Sequence, residues 1–308
     1  MTTCMLVVSQ LGFCSAYILF IAENMSSIFQ DSVGRGTIVA ACLPIICLLV
    51  CVRNVAALAP FSLVADVANL AALAVVFSTD FGEFKRHEEV ALGFPVHSDH
   101  AGALFGPLPF LFGIFVYCFE GIGMILPLEA SMQNRSLFPH VLRLAMLVIV
   151  VLFVCFGFTG YCAFGARTDQ VITMNLPSDA WATHAVKSGL SLGLLLTYPM
   201  MMQPVFLTFE TSSDVSPLRR NLVRCLISTA TALLGMSIPG FSTFVSLIGS
   251  VACTALAFIM PITLHFIVCG QDLTLLQIIL EAAAATIGVI GGACGAIDAV
   301  AKAASHFR

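Results

Sequence analysis

The chain has 308 residues, 59% of them hydrophobic and 10% charged, with a net charge of −4 and a mean hydropathy of +1.01. A water-soluble domain carries roughly 45–50% apolar and about 25% charged residues, so this chain cannot cover a water-facing surface. With 13 basic residues against 17 acidic ones there is no polycationic face, which excludes a nucleic-acid binder as well as a soluble enzyme.

A helix crossing lipid needs roughly 20 apolar residues. Such runs predict about nine spans, at 4–22, 36–52, 55–77, 104–128, 144–164, 188–209, 221–238, 241–268 and 273–297. The expected class is therefore an all-α polytopic membrane protein without a soluble domain. The first span carries Gln10, Ser15 and Tyr17 among apolar residues. Gln10 and Tyr17 are seven apart and share one helix face, where they line a cavity or bond a neighbouring helix. Arg53-Asn54 alone divides the second span from the third, which holds Asp66 at mid-depth. The stretch 78–103 is too charged for lipid and too short for a domain.

The fourth span contains Phe119-Glu120-Gly121-Ile122-Gly123 and then Pro127. Two glycines weaken a helix by about 1 kcal/mol each, and a proline leaves the carbonyl four residues earlier without its donor. A break is expected near Gly121–Gly123, with free carbonyls before it and free N–H groups after it. Glu120 beside it is an intramembrane carboxylate, a functional-site candidate by default. In the sixth span, Thr197 shortly precedes Pro199 and Gln203 precedes Pro204; the two polar residues serve equally well as ligand contacts or as interhelical glue. Met200-Met201-Met202 reads as packing. Pro239-Gly240 marks the turn into the eighth span. His265 in that span and Glu281 in the ninth are single buried polar residues whose first expectation is a packing partner. The 12 Cys form no CxxC pair and no metal spacing, so they read as small hydrophobes; no metal or cofactor is expected.

Several of these segments resemble one family. Gly12 to Asn24 is similar to the third helix of proton-coupled amino acid transporters, a branch of the amino acid/auxin permease family. Phe115 to Pro127, with Leu128-Glu129 after it, resembles that family's sixth helix, whose FEGIG…LPLE signature is the most specific. Gly157 to Gly165 with Thr173 to Pro177 resembles the seventh helix and its following loop. Ile238-Pro239-Gly240-Phe241, Ser246 to Ser250 and Pro261 resemble the ninth and tenth helices; Gly240 stands where the family more often has Asn. The resemblance covers almost the whole chain and makes residues 1–308 a single transporter domain, family helices three to eleven. It implies a LeuT-type inverted-repeat fold lacking its first two helices.

The function implied is transmembrane amino acid transport by alternating access, as proton-coupled symport of small neutral amino acids, with sodium also possible. Substrate would dock at Gly121, Ile122 and Gly123, with Phe119, Gln10, Tyr17 and Thr197 beside them. Glu120 and Asp66 would handle protons. The implied setting is the plasma membrane or a vacuolar or lysosomal endomembrane. A family member that binds or senses without transporting is the alternative, because half the family's substrate site has no counterpart here. Intramembrane proteases do not fit: neither Asp66 nor Asp298 sits in a GxGD setting, and no GxSG site is present.

Overall fold

The computed structural model describes residues 2–30, 32–52, 59–86, 106–178, 180–210, 216–237, 240–269 and 273–306, and every regular element among them is helical. Arg53-Asn54, the charged stretch from 87 onward and Pro239 lie outside the described residues. In chain order the helices are α1 (Thr2–Ile28), α2 (Arg35–Val50), α3 (Ala59–Arg86), α4 (Leu108–Phe119), α5 (Ile122–Ser131), α6 (Phe138–Phe164), α7 (Trp181–Phe209), α8 (Pro217–Ser237), α9 (Phe241–Cys269) and α10 (Leu275–His306). Six of them, α1, α3, α6, α7, α9 and α10, are long and apolar enough to cross a membrane alone. The second expected span is the 16-residue α2, the seventh is α8 with Arg219, Arg220 and Arg224 in its first turns, and the fourth is split into α4 and α5.

Helix α1 runs through the middle. Phe13, Cys14, Ser15, Ala16, Ile18, Leu19, Ile21 and Ala22 are buried on every side of it, as expected of a helix that is apolar all round. It packs on α7 and α8, and also on α2 and α9. One apolar cluster joins Cys14 and Ile18 to Ile46, Tyr198, Met202, Phe206 and Ala232. Helix α6 is the opposite case. Leu144, Leu147, Val151, Val154 and Phe158 are all exposed along a helix with no charged residue after Arg143. An apolar face of that length left open to water is untenable, whereas lipid is its natural solvent.

Small residues set how closely the helices approach. A Cβ added to Gly249 of α9 would stand 1.8 Å from the Gly113 carbonyl oxygen of α4, and one on Gly235 of α8 would stand 2.8 Å from the Ser15 carbonyl oxygen of α1. Gly288, Gly291, Gly292 and Gly295 form a seam on α10 that lets Phe258, Phe112, Ser250 and Pro109 in. This is the small-residue packing that membrane helices use where burial against lipid supplies no driving force. Helix α9 contains two π-helical turns, Gly249–Cys253 and Ala255–Ile259, where Thr254 donates its hydroxyl to the carbonyl of Gly249 at 2.9 Å. Helix α7 continues unbroken through Pro199 and Pro204, because neighbouring helices enclose it there.

Polar side chains fasten both ends of the bundle. At one end, Thr173 donates to the fully buried Asn24 side chain at 2.6 Å, and Lys187 donates to Ser27 at 2.7 Å. Glu23 and Asn24, expected in a joint, are therefore inside α1, which extends to Ile28 because its polar last turns are covered by the 172–175 turn and by α9. At the other end, Arg224 of α8 grips Glu210 with Nε at 2.5 Å and Nη2 at 3.0 Å, while its Nη1 donates to the Val50 carbonyl at 2.8 Å.

Candidate functional site

The span that carries Glu120 is broken. Helix α4 ends at Phe119; Glu120 has φ −72°, ψ 127° and Gly121 has φ −159°, ψ 11°; α5 begins at Ile122. The break thus falls at Glu120–Gly121, overlapping the expected Gly121–Gly123 at Gly121, and Gly123 lies in the first turn of α5. Neither Gly121 nor any other side chain at that position caps the new helix. Glu120 does so from within the gap: its Oε1 accepts the N–H of Ile122 at 3.2 Å. The first N–H groups of a helix have no partners within it and form a partial positive charge, so α5 presents an acceptor-seeking end to the gap. A Cβ added to Gly121 would meet nothing within 4 Å, so this backbone faces open space.

Two residues of α1 reach the α4–α5 segment from one face: Gln10 at the first turn of α5 and Phe13 at the end of α4, with Tyr17 one turn further along that face. Gln10 is 2% exposed, its amide lies 3.2 Å from where a Cβ on Gly123 would be, and its carbonyl oxygen has no hydrogen-bond partner among the described residues. A buried acceptor left unmade costs about 1–3 kcal/mol, which marks it as an atom awaiting a donor. The Phe13 ring packs on Tyr117 of α4 with centroids 4.7 Å apart, and Tyr17 stands within electrostatic reach of Tyr117. Cys253, in the first π-helical turn of α9, packs with Phe13 and Val116, and Met201 of α7 packs against that cluster. Phe13, Tyr117, Met201 and Cys253 are apolar or aromatic residues in apolar runs and gave no sequence signal, apart from the place of Phe13 between Gln10 and Tyr17 on one helical face.

Other expected residues are not gathered here. Phe119 turns to α6, where its ring meets Phe153 at 5.4 Å. Thr197 lies one turn before Met201 and gives its hydroxyl to the carbonyls of Gly193 and Leu194 in its own helix. Asp66 is on an exposed face of α3. His265 and Glu281 do find a packing partner, namely each other, at 2.5 Å between α9 and α10. The buried carboxylate of α3 is Asp80, 1% exposed, which accepts from Thr159 of α6 at 3.4 Å and has no partner for its Oδ1 among the described residues.

The sequence pattern of the family described as transmembrane amino acid transporter protein matches residues 1–301. Three relatives from Arabidopsis thaliana agree with it. Amino acid transporter ANT1 is 32% identical over 89% of this chain, amino acid transporter AVT3B 32% over 94%, and amino acid transporter AVT3A 34% over 96%. The chain spans 66%, 71% and 69% of those proteins' own lengths, about two thirds. An all-helical chain with lipid-facing apolar helices and a broken helix lined by an unpartnered amide thus belongs to the transmembrane amino acid transporter family, the amino acid/auxin permeases.

Proposed function

We propose that the chain carries amino acids across a membrane and holds them at the gap between α4 and α5. The observation that carries this reading is the Gln10 side chain packed against the Gly123 turn, with its carbonyl oxygen unpartnered among the described residues. The substrate's ammonium group donates to Gln10 and to the last carbonyls of α4. Its carboxylate accepts from the N–H groups of Gly121, Ile122 and Gly123, as at half-helix ends in transporters of this kind. Phe13, Tyr17 and Tyr117 bound the space for the side chain, which favours small neutral amino acids. Thr197 and Phe119 act from a further shell, through Met201 and α6. In this reading the helices form nine spans of a LeuT-type repeat, and α4–α5 together make one of them.

Glu120 is the proposed proton carrier. Its carboxylate caps α5, so gaining a proton releases the Ile122 N–H for the substrate and couples proton occupancy to binding. Asp66, on the exposed face of α3, is a secondary candidate. The test is uptake of labelled glycine, alanine, serine and proline into proteoliposomes under an imposed pH gradient, with and without sodium. Gln10→Ala should raise KM or abolish uptake, and Glu120→Gln should leave exchange but remove the response to the pH gradient. Uptake unchanged in both variants sinks the site, and sodium dependence without pH dependence replaces the proton. Binding without uptake would favour the sensing alternative.

A further inference from the structure

A polar cavity lies at the other end of α1, about 20 Å along the helix from Gln10. It encloses about 330 Å³ and is walled by Glu23, Ser26 and Ser27 of α1, Arg35 at the start of α2, and Asp169 and Gln170 from the segment joining α6 to α7. Its charges are only partly matched. Glu23, 8% exposed, pairs with Arg35 at 3.4 Å and accepts the N–H of Phe241. Asp169 repels Glu23 across the space; its Oδ1 accepts the adjacent Gln170 N–H at 2.6 Å, and it makes no ion pair among the described residues. Directly behind the wall, Lys187 is 3% exposed. Its Nζ donates to Ser27 at 2.7 Å and touches Met174 at 4.0 Å, both of them wall residues, and no carboxylate answers it among the described residues.

The cavity therefore has a carboxylate without a cation on one side and a buried ammonium without an anion on the other. Lys187, buried without a counter-charge, is the costly member, while Asp169 is exposed on the cavity wall and open to a cationic group, so a ligand that carries both charges fits the arrangement. A metal ion would answer Asp169 and leave Lys187 unmatched, and Arg35 would oppose it; an inorganic anion would do the reverse. A zwitterion answers both, and the volume is within the range of small-molecule sites. We infer that this cavity is a second amino-acid site, which takes a small zwitterionic amino acid with its ammonium on Asp169 and its carboxylate toward Arg35, Ser27 and Lys187. The inference rests on the amino-acid reading of the chain but uses none of the residues at the helix break.

The experiment is equilibrium binding of tritiated glycine, L-alanine, L-serine and L-proline to the purified full chain in detergent, read as stoichiometry. The wild type should bind two molecules per chain. Asp169→Asn, isosteric and at an exposed position, and Lys187→Met should each weaken one site by about tenfold or more and leave the other. Gln10→Ala should remove the other site alone, and the Gln10→Ala, Asp169→Asn pair should remove both. Size-exclusion profiles check that Lys187→Met still folds, and Asp169→Asn carries the test if it does not. A single site that Gln10→Ala abolishes and Asp169→Asn leaves intact overturns the inference while the helix-break reading stands. Loss of one site in Asp169→Asn with no effect of Gln10→Ala supports the inference and overturns the helix-break reading. Sodium binding that Asp169→Asn removes, with no change for any amino acid, would replace the inferred site by a cation site.

Discussion

Replacing Gly249 with alanine tests the claim that α4 and α9 meet backbone to backbone. The added Cβ would stand 1.8 Å from the Gly113 carbonyl oxygen and 3.0 Å from Cβ of Tyr117. A carbon sits no closer than about 3.3 Å to a carbonyl oxygen, so the helices must part by roughly 1.5 Å. Neither obstacle can rotate away, because one is main chain and the other is the root of a side chain. A gap of 0.5–1 Å already forfeits a quarter to a half of a dispersion contact, and overpacking of this kind costs about 1–3 kcal/mol. The better helix propensity of alanine returns at most about 1 kcal/mol. The net expectation is a loss of about 1–2 kcal/mol, a factor of roughly 5–30 in the folded-to-unfolded ratio. Unfolding of the purified chain by sodium dodecyl sulfate in mixed micelles, followed by helical circular dichroism, reads this directly. Gly121→Ala is the control: nothing lies within 4 Å of its added Cβ, so the change should stay within about 0.5 kcal/mol. Equal stability of Gly249→Ala and wild type, or an equal loss in Gly121→Ala, would refute the packing argument.

Arg224→Ala removes the two-pronged grip on a mostly buried Glu210 carboxylate, which keeps the longer Arg220 pair at 3.9 Å, and frees the Val50 carbonyl, so it should cost about 2–3 kcal/mol in the same titration; Arg224→Lys should recover only part, because an ammonium lacks that grip. A loss under 1 kcal/mol for Arg224→Ala would show that the clamp is dispensable. Thr173→Val leaves the fully buried Asn24 side chain without its donor and should cost about 1–3 kcal/mol. Its signature is faster hydrogen exchange confined to residues near 168–178, and uniform exchange across the chain would contradict it. Tyr198→Phe removes a hydroxyl that meets Thr231 at 2.6 Å, but Thr231 still donates to Ser228, so the loss should be only about 1 kcal/mol.

The course of the fold was largely legible because lipid imposes one rule on every span. Apolar runs placed the helices, and the turn dipeptide at Pro239-Gly240 placed the start of α9 next to it. The errors come from contacts that a run of residues does not encode. The first apolar run stops at 22 because Glu23 and Asn24 are polar, yet α1 continues through them because Thr173, Arg35 and the start of α9 supply their partners. The π-helical turns of α9 have no composition of their own; they accompany the close approach of Gly249 to Gly113, a contact between positions far apart in the chain.

The site divides along the same line. Gln10 and Glu120 stood out because a polar side chain in an apolar run is a contrast, and the structure brings both to the helix break. Phe13, Tyr117 and Cys253 had no such contrast, although they bound the same space. Depth and charge alone also pointed to Asp66 and passed over Asp80, which are 14 residues apart on one helix, about four turns, and so on nearly the same face. What separates them is the neighbour. Thr159 and Gly160 of α6 cover Asp80, while Asp66 lies exposed among the described residues. A carboxylate in a membrane helix is informative only once the helix packed over it is known, because that neighbour decides whether the group meets solvent, lipid headgroups or a partner. The same logic ranks the two polar regions of α1: Gln10 is an acceptor without a donor, and the cavity around the Glu23–Arg35 pair has Asp169 on its wall and Lys187 behind it with no ion pair among the described residues, so each is defined by a missing partner that only the folded chain reveals.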